Sequence, residues 1–245
     1  MIPLRDTIPS RRFPVVNTTL IGINVVIFLF ESLLGEQGLT NLFWRYGLVP
    51  ALFWRTGGLA RWLPLLTSTF LHGGWWHLIS NMMALYIFGD NIEDSLGPLR
   101  YLLFYLCCGL AAGLLHVVVN RGSQVPTVGA SGAIAGVLGA YLLLFPNSRI
   151  LTLVPVFYFI RLVQIPALLY LGLWFVSQLF NGLFALGAAD VLQTGGVAWW
   201  AHIGGFVFGV GLIRLVAPRQ EIVYRGYLDE RYPWRDDDPW WPGRG

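Results

Sequence analysis

Six apolar segments, each near the length of a membrane crossing, constrain this chain more than any motif does. A helix needs about 20 apolar residues to span hydrocarbon, and lipid leaves every backbone N–H and C=O to be satisfied internally. The segments cover residues 15–34, 76–89 with a polar continuation to Gly97, 99–119, 130–145, 165–186 and 198–217. They predict an all-α membrane protein with six transmembrane helices. Only 12% of the 245 residues are charged and 56% are hydrophobic, against about 25% charged in a soluble domain.

The connections carry their own information. Residues 35–75 form a long first loop that is not hydrophilic; Leu42, Phe43, Trp44, Leu52, Phe53 and Trp54 recur through it. Amphipathic pieces lying in the membrane interface fit that composition. Residues 150–164 are apolar but interrupted by Pro155, Arg161 and then Pro166, which reads as a connection grazing the inner surface. The membrane domain therefore covers 1–217. Residues 218–245 form a short polar tail, expected to be poorly ordered.

Charge sets orientation and excludes one partner class. All 16 basic residues are arginine, and the net charge is only +3. The charges are scattered, so nucleic acid is not an expected partner. With the N-terminus inside, nine arginines (5, 11, 12, 100, 149, 161, 214, 219, 225) face inward and four (45, 55, 61, 121) outward. That bias puts both termini in the cytoplasm. The first segment has no A-x-A-like cleavage site and reads as a retained anchor. The expected location is a bacterial inner membrane. Cys107 and Cys108 are adjacent and read as packing residues. No cofactor is expected, and no His/Cys/Asp/Glu set has metal-ligand spacing.

Three segment starts carry chemistry. Gly129-Ala130-Ser131-Gly132 opens the fourth segment, where a helix N-terminus offers unpaired N–H groups. Ser131 there is a helix cap, a small packing residue or a nucleophile. His202 opens the sixth segment; a histidine inside a membrane span points to function, and the alternative is an interfacial histidine bonded to a neighbouring carbonyl. Below Ser131 lie Ala135 and Gly139, with Gly132 and Gly136 beside them; below His202 lie Gly205 and Gly209. Such stripes let two helices approach closely in lipid and would bring Ser131 to His202. His77 and Asn81 share a face at the start of the second segment. They are oxyanion donors or an interhelical polar clamp. His72 precedes that helix and is expected to shape the connection.

These residues resemble the rhomboid intramembrane serine proteases. The likeness rests on His72-x4-His77-x3-Asn81, Gly129-Ala130-Ser131-Gly132 and Ala201-His202-x-Gly204-Gly205-x3-Gly209, in order on successive segments. The resemblance implies a Ser131–His202 dyad without an acidic third member. It also implies an oxyanion site made by His77, Asn81 and the Ser131 N–H, and a Glu93 that organises helix packing. One departure is Arg61-Trp62-Leu63-Pro64, where family members often carry Trp-Arg. Implied substrates are single-pass transmembrane proteins with an easily unwound helix.

Two rivals stand beside the protease: a non-catalytic rhomboid-like binder of membrane proteins, and a small transporter or channel. The binder would lack Ser131 or His202, and the transporter would place polar groups at several depths. Substrate is expected to enter sideways near the fifth segment and the glycine- and alanine-rich connection from Gly187 to Val197. Bulky Trp174 and Phe175 would form the gate. That segment is expected to add no group to the site, and Asp190 is a weak candidate for orienting His202.

Overall fold

The computed structural model describes residues 1–156, 159–187 and 198–217. The tail from 218 and residues 188–197, Asp190 among them, lie outside the described residues. The described elements are β1 (Ile2–Asp6), α1 (Val15–Ser32), α2 (Gly35–Tyr46), α3 (Pro50–Arg55), α4 (Leu63–Thr67), α5 (Trp75–Leu96) and α6 (Pro98–Val119). There follow α7 (Ser131–Leu144), β2 (Arg149–Val156), β3 (Phe159–Pro166), α8 (Ala167–Gly187) and α9 (Trp199–Val216).

The molecule is mostly helical. Among the described residues, α1, α6, α8 and α9 are long and apolar enough to cross a membrane. The helix α5 has 22 residues but carries Asp90, Glu93 and Asp94 near its end, and α7 has only 14 residues. The first connection contains α2, α3 and α4 with short 3-10 turns. Its Arg61-Trp62-Leu63-Pro64 stretch ends one turn and starts α4, with the Arg61 guanidinium over the Phe53 and Trp62 rings.

Buried polar residues fasten the helices. Pro14 precedes α1 and cannot cap it, so Glu93 of α5 accepts the Val16 and Asn17 N–H groups at 3.0 and 2.7 Å. The expected role of Glu93 in packing thus has a definite form: a carboxylate at the positive end of α1. Asn17 then donates to the Leu85 carbonyl and accepts from the Tyr101 hydroxyl, at 2.9 and 2.7 Å, joining α1, α5 and α6.

The all-α expectation needs correction. The stretch read as a grazing connection folds into the β2–β3 hairpin, and β1 completes a three-stranded antiparallel sheet in the order β1-β2-β3. Its Ile150, Leu151, Thr152 and Val154 suit a strand. Pro155 lies beyond Leu153, the last β2 residue facing β1, near the hairpin end where a missing N–H is tolerated. Pro166 closes β3 just before α8.

Asp6 locks this sheet to the bundle. It accepts from the Tyr141 hydroxyl of α7 and, at 2.9 Å, from the Asn91 amide of α5. Burial raises its pKa from 3.8 to about 7, partly opposed by the Tyr141 bond and reinforced by nearby Asp90. A folded state that binds this proton more tightly than the unfolded chain gains stability below about pH 4. That contribution is lost as pH rises through about 7. Asp6→Asn is therefore expected to flatten the decline in thermal stability between pH 4 and 8 for the detergent-solubilised protein. An unchanged slope would remove Asp6 as its source.

Candidate active site

The site forms where the starts of α5, α7 and α9 converge. Ser131 is the first residue of α7, but its side chain does not cap the helix. Its hydroxyl instead meets His202 Nε2 at 2.7 Å. The capping role is thereby set aside.

Glycine makes this distance attainable. A Cβ on Gly205 would strike the Gly132 carbonyl, and one on Gly209 would strike the Gly136 backbone. The closest register therefore pairs Gly132 with Gly205 and Gly136 with Gly209. Ala135 flanks the seam, and Gly139 meets the Phe206 carbonyl further down. The expected approach of α7 and α9 is present, shifted by one residue from the Ser131–Ala135–Gly139 stripe.

The segment before α7 is held from three sides. Leu48 and Thr127 exchange backbone hydrogen bonds at 2.9 and 2.8 Å, and Gly129 N–H donates to the Ser68 carbonyl at 2.9 Å. The Thr127 hydroxyl lies 2.9 Å from Nε2 of buried His116. Gly129 has φ +131°, and a Cβ there would lie 2.6 Å from His77 Nε2. Glycine thus satisfies the backbone and lets the imidazole sit beside Ser131.

A cavity of about 660 Å³ is lined by Ser131, His202, His77, Asn81 and Trp174 together with Val125–Val128. His77 Nδ1 accepts the Gly73 N–H at 3.4 Å, which leaves the ring proton on Nε2. The Asn81 side-chain nitrogen is buried and has no hydrogen-bond partner among the described residues. An unmet buried donor carries a penalty of about 1–3 kcal/mol, which a bound oxyanion would relieve. His72 does not line the cavity. Its N–H donates to the Glu31 carboxylate at 3.2 Å, and its ring packs edge-on against His77, 5.1 Å between centroids. Burial lowers the His72 pKa to about 4, and His77 adds to the shift.

The rhomboid-domain family model matches residues 59–219, about two thirds of the chain. The chain belongs to the rhomboid family. It is 30% identical over 197 residues to mitochondrial rhomboid protein 1 of Saccharomyces cerevisiae, covering 78% of this chain and 50% of that protein. It is 34% identical over 142 residues to YdcA of Bacillus subtilis, covering 57% and 68%. It is 31% identical over 155 residues to the human mitochondrial presenilin-associated rhomboid-like protein, covering 60% and 36%. The chain thus spans about half the length of the yeast relative and less of the human one.

In this rhomboid, α8 departs from its expected part. Trp174 packs its ring 5.9 Å from that of His202, and Phe175 stacks on Phe206 at 4.4 Å. Gln178, which belongs to none of the sequence motifs, places its side-chain oxygen 2.8 Å from His202 Nδ1. The helix expected to stand clear of the site is bonded to its histidine. A smaller residue at Trp174 would loosen that ring as well as any gate. The available sequence signal was the polar pair Ser177-Gln178 inside an apolar helix.

Proposed function

We propose that this rhomboid is an intramembrane serine endopeptidase that cuts single-pass transmembrane proteins. The observation that carries the reading is the 2.7 Å contact between Ser131 Oγ and His202 Nε2. Ser131 attacks the scissile carbonyl while neutral His202 takes its proton. The oxyanion is received by the Ser131 N–H, His77 Nε2–H and the Asn81 amide. His202 then protonates the leaving amine, and water hydrolyses the acyl-enzyme. No acidic third residue is required.

The short α7 gives this chemistry its depth. Fourteen residues rise about 21 Å, against about 30 Å of hydrocarbon. If its inner end reaches one membrane face, Ser131 lies below the other. Six crossings, formed by α1, α5, α6, α7, α8 and α9, make residues 1–217 the membrane domain, with both termini cytoplasmic. The exposed Trp44, Trp54, Trp62, Trp75 and Trp76 suit the opposite interface. The relatives include mitochondrial as well as bacterial proteins, and a bacterial inner membrane is the location we favour. Substrate enters sideways past α8, with Trp174 and Phe175 at the gate.

A fluorophosphonate probe tests the reading directly. Labelling confined to Ser131 supports it. Absence of labelling in folded protein would favour the non-catalytic alternative. His77→Ala and Asn81→Ala are each expected to lower turnover by about 10²–10³-fold, because oxyanion donors act in the transition state. KM should change little. Weakened binding with preserved turnover would reassign either residue to packing.

A further inference from the structure

We propose that Gln178 is a positioning residue for His202, fixing the tautomer in which Nε2 is free to accept the Ser131 proton. The proposal rests on the serine-protease reading and adds a group from α8 to it.

The hydrogen bonds around Gln178 decide which of its atoms faces the histidine. Ser177 Oγ donates its single proton to the Trp174 carbonyl at 2.6 Å. It can then only accept. Gln178 Nε2 lies 3.0 Å from Ser177 Oγ and 3.2 Å from the Trp174 carbonyl oxygen. Both partners need a donor, so the amide nitrogen occupies that side. A flipped amide would set its oxygen against two acceptors. The Gln178 oxygen therefore faces His202 Nδ1 at 2.8 Å. An amide oxygen cannot donate, so Nδ1 carries the ring proton and Nε2 presents its lone pair to Ser131.

The arrangement is rigid and sheltered. Gln178 is 5% exposed and His202 is 9% exposed. Trp174 and Trp199 flank the imidazole, at 5.9 and 6.4 Å between centroids. A neutral acceptor orients the ring without bringing a charge into the apolar interior, where an uncompensated carboxylate would be costly. It also accepts more strongly once the ring becomes imidazolium, at the step where charge develops. Ser131 and His202 alone leave the tautomer unspecified, because either ring nitrogen can hold the proton.

The test compares Gln178→Met and Gln178→Glu in the full-length protein. Met approximates the shape of Gln without an oxygen acceptor. Glu keeps an acceptor but is poorly suited to an apolar helix interface. A packing role tolerates Met and penalises Glu; a positioning role reverses the order. We expect Gln178→Met to retain its melting temperature and KM while losing about 10- to 100-fold in kcat, by analogy with the loss of a partner that orients a metal-bound histidine. Gln178→Glu should recover turnover to within a few-fold of the parent. The rate of fluorophosphonate labelling at Ser131 should follow the same order. Equal turnover and labelling in Gln178→Met and the parent would overturn the proposal, as would an active Met variant beside an inactive, folded Glu variant. Failure of the parent itself to label would instead strike the protease reading. If Gln178→Met does not fold, Gln178→Leu replaces it, and full turnover in that variant would equally overturn the proposal.

Discussion

Ser131→Ala and His202→Ala are each expected to abolish cleavage of a transmembrane substrate, by about 10⁴-fold or more, while leaving the fold in place. The expected size follows from how a nucleophile and its base act as one unit: removing either costs nearly as much as removing both. In this rhomboid the unit is a single contact of 2.7 Å, so neither residue has a substitute at hand. Stability should change little in Ser131→Ala. Alanine at the start of α7 removes no helix cap, since the serine side chain makes none. His202→Ala leaves Gln178 with an unmet acceptor and a space between Trp174 and Trp199, so a modest fall in melting temperature is expected there. The double variant should be no worse than the worse single one. Substantial cleavage by either folded variant would dismiss the dyad. Additive losses would mean that the two residues serve separate steps.

The helices of this chain could be read in advance because lipid removes most alternatives. A segment in lipid has to satisfy its own backbone, as a helix does, and α1 and α5–α9 begin and end within about two residues of the expected segments when α5 is taken with its polar continuation. His77, Asn81, Ser131 and His202 were legible for a related reason. Polar groups at the heads of apolar helices stand out, and the element order brings those heads together. The hairpin of β2 and β3 was not legible, because Pro155 and Arg161 interrupt a pattern that a membrane reading tests only for helix. Gln178 was hidden differently. It lies in the middle of α8 rather than at a helix start, and only the packing of α8 on α9 carries it to His202. The same contact constrains the gate. If substrate enters past α8 as proposed, pushing that helix aside would also draw Gln178 away from His202.

Gly209→Ala and Gly205→Ala should produce the largest losses of stability available from a single added carbon. At Gly209 the new Cβ would lie on the Gly136 carbonyl oxygen and 2.5 Å from its Cα; at Gly205 it would lie on the Gly132 carbonyl. These obstacles are backbone atoms inside a helix, so no side-chain rotation can relieve them, and α9 has to retreat from α7. Overpacked cores ordinarily lose about 1–3 kcal/mol. A clash of backbone against backbone along the main helix seam should reach or exceed the upper end. The retreat also acts on the chemistry. Gly205 sits one turn below His202, and a displacement of about 1 Å is enough to cost on the order of 10²-fold in rate. Gly205→Ala is therefore expected to lose more turnover than Gly209→Ala, although both lower the melting temperature. Gly211 provides the control within the same helix: a Cβ there meets nothing within 4 Å. Alanine relieves the helix of a glycine, worth about 0.5–1 kcal/mol, so Gly211→Ala should match or slightly exceed the parent in stability and match it in rate. Melting temperature and cleavage rate measured on the three variants decide the matter. If Gly209→Ala behaved like Gly211→Ala, α7 and α9 would not be in backbone contact, and the route by which Ser131 reaches His202 would have to be drawn differently.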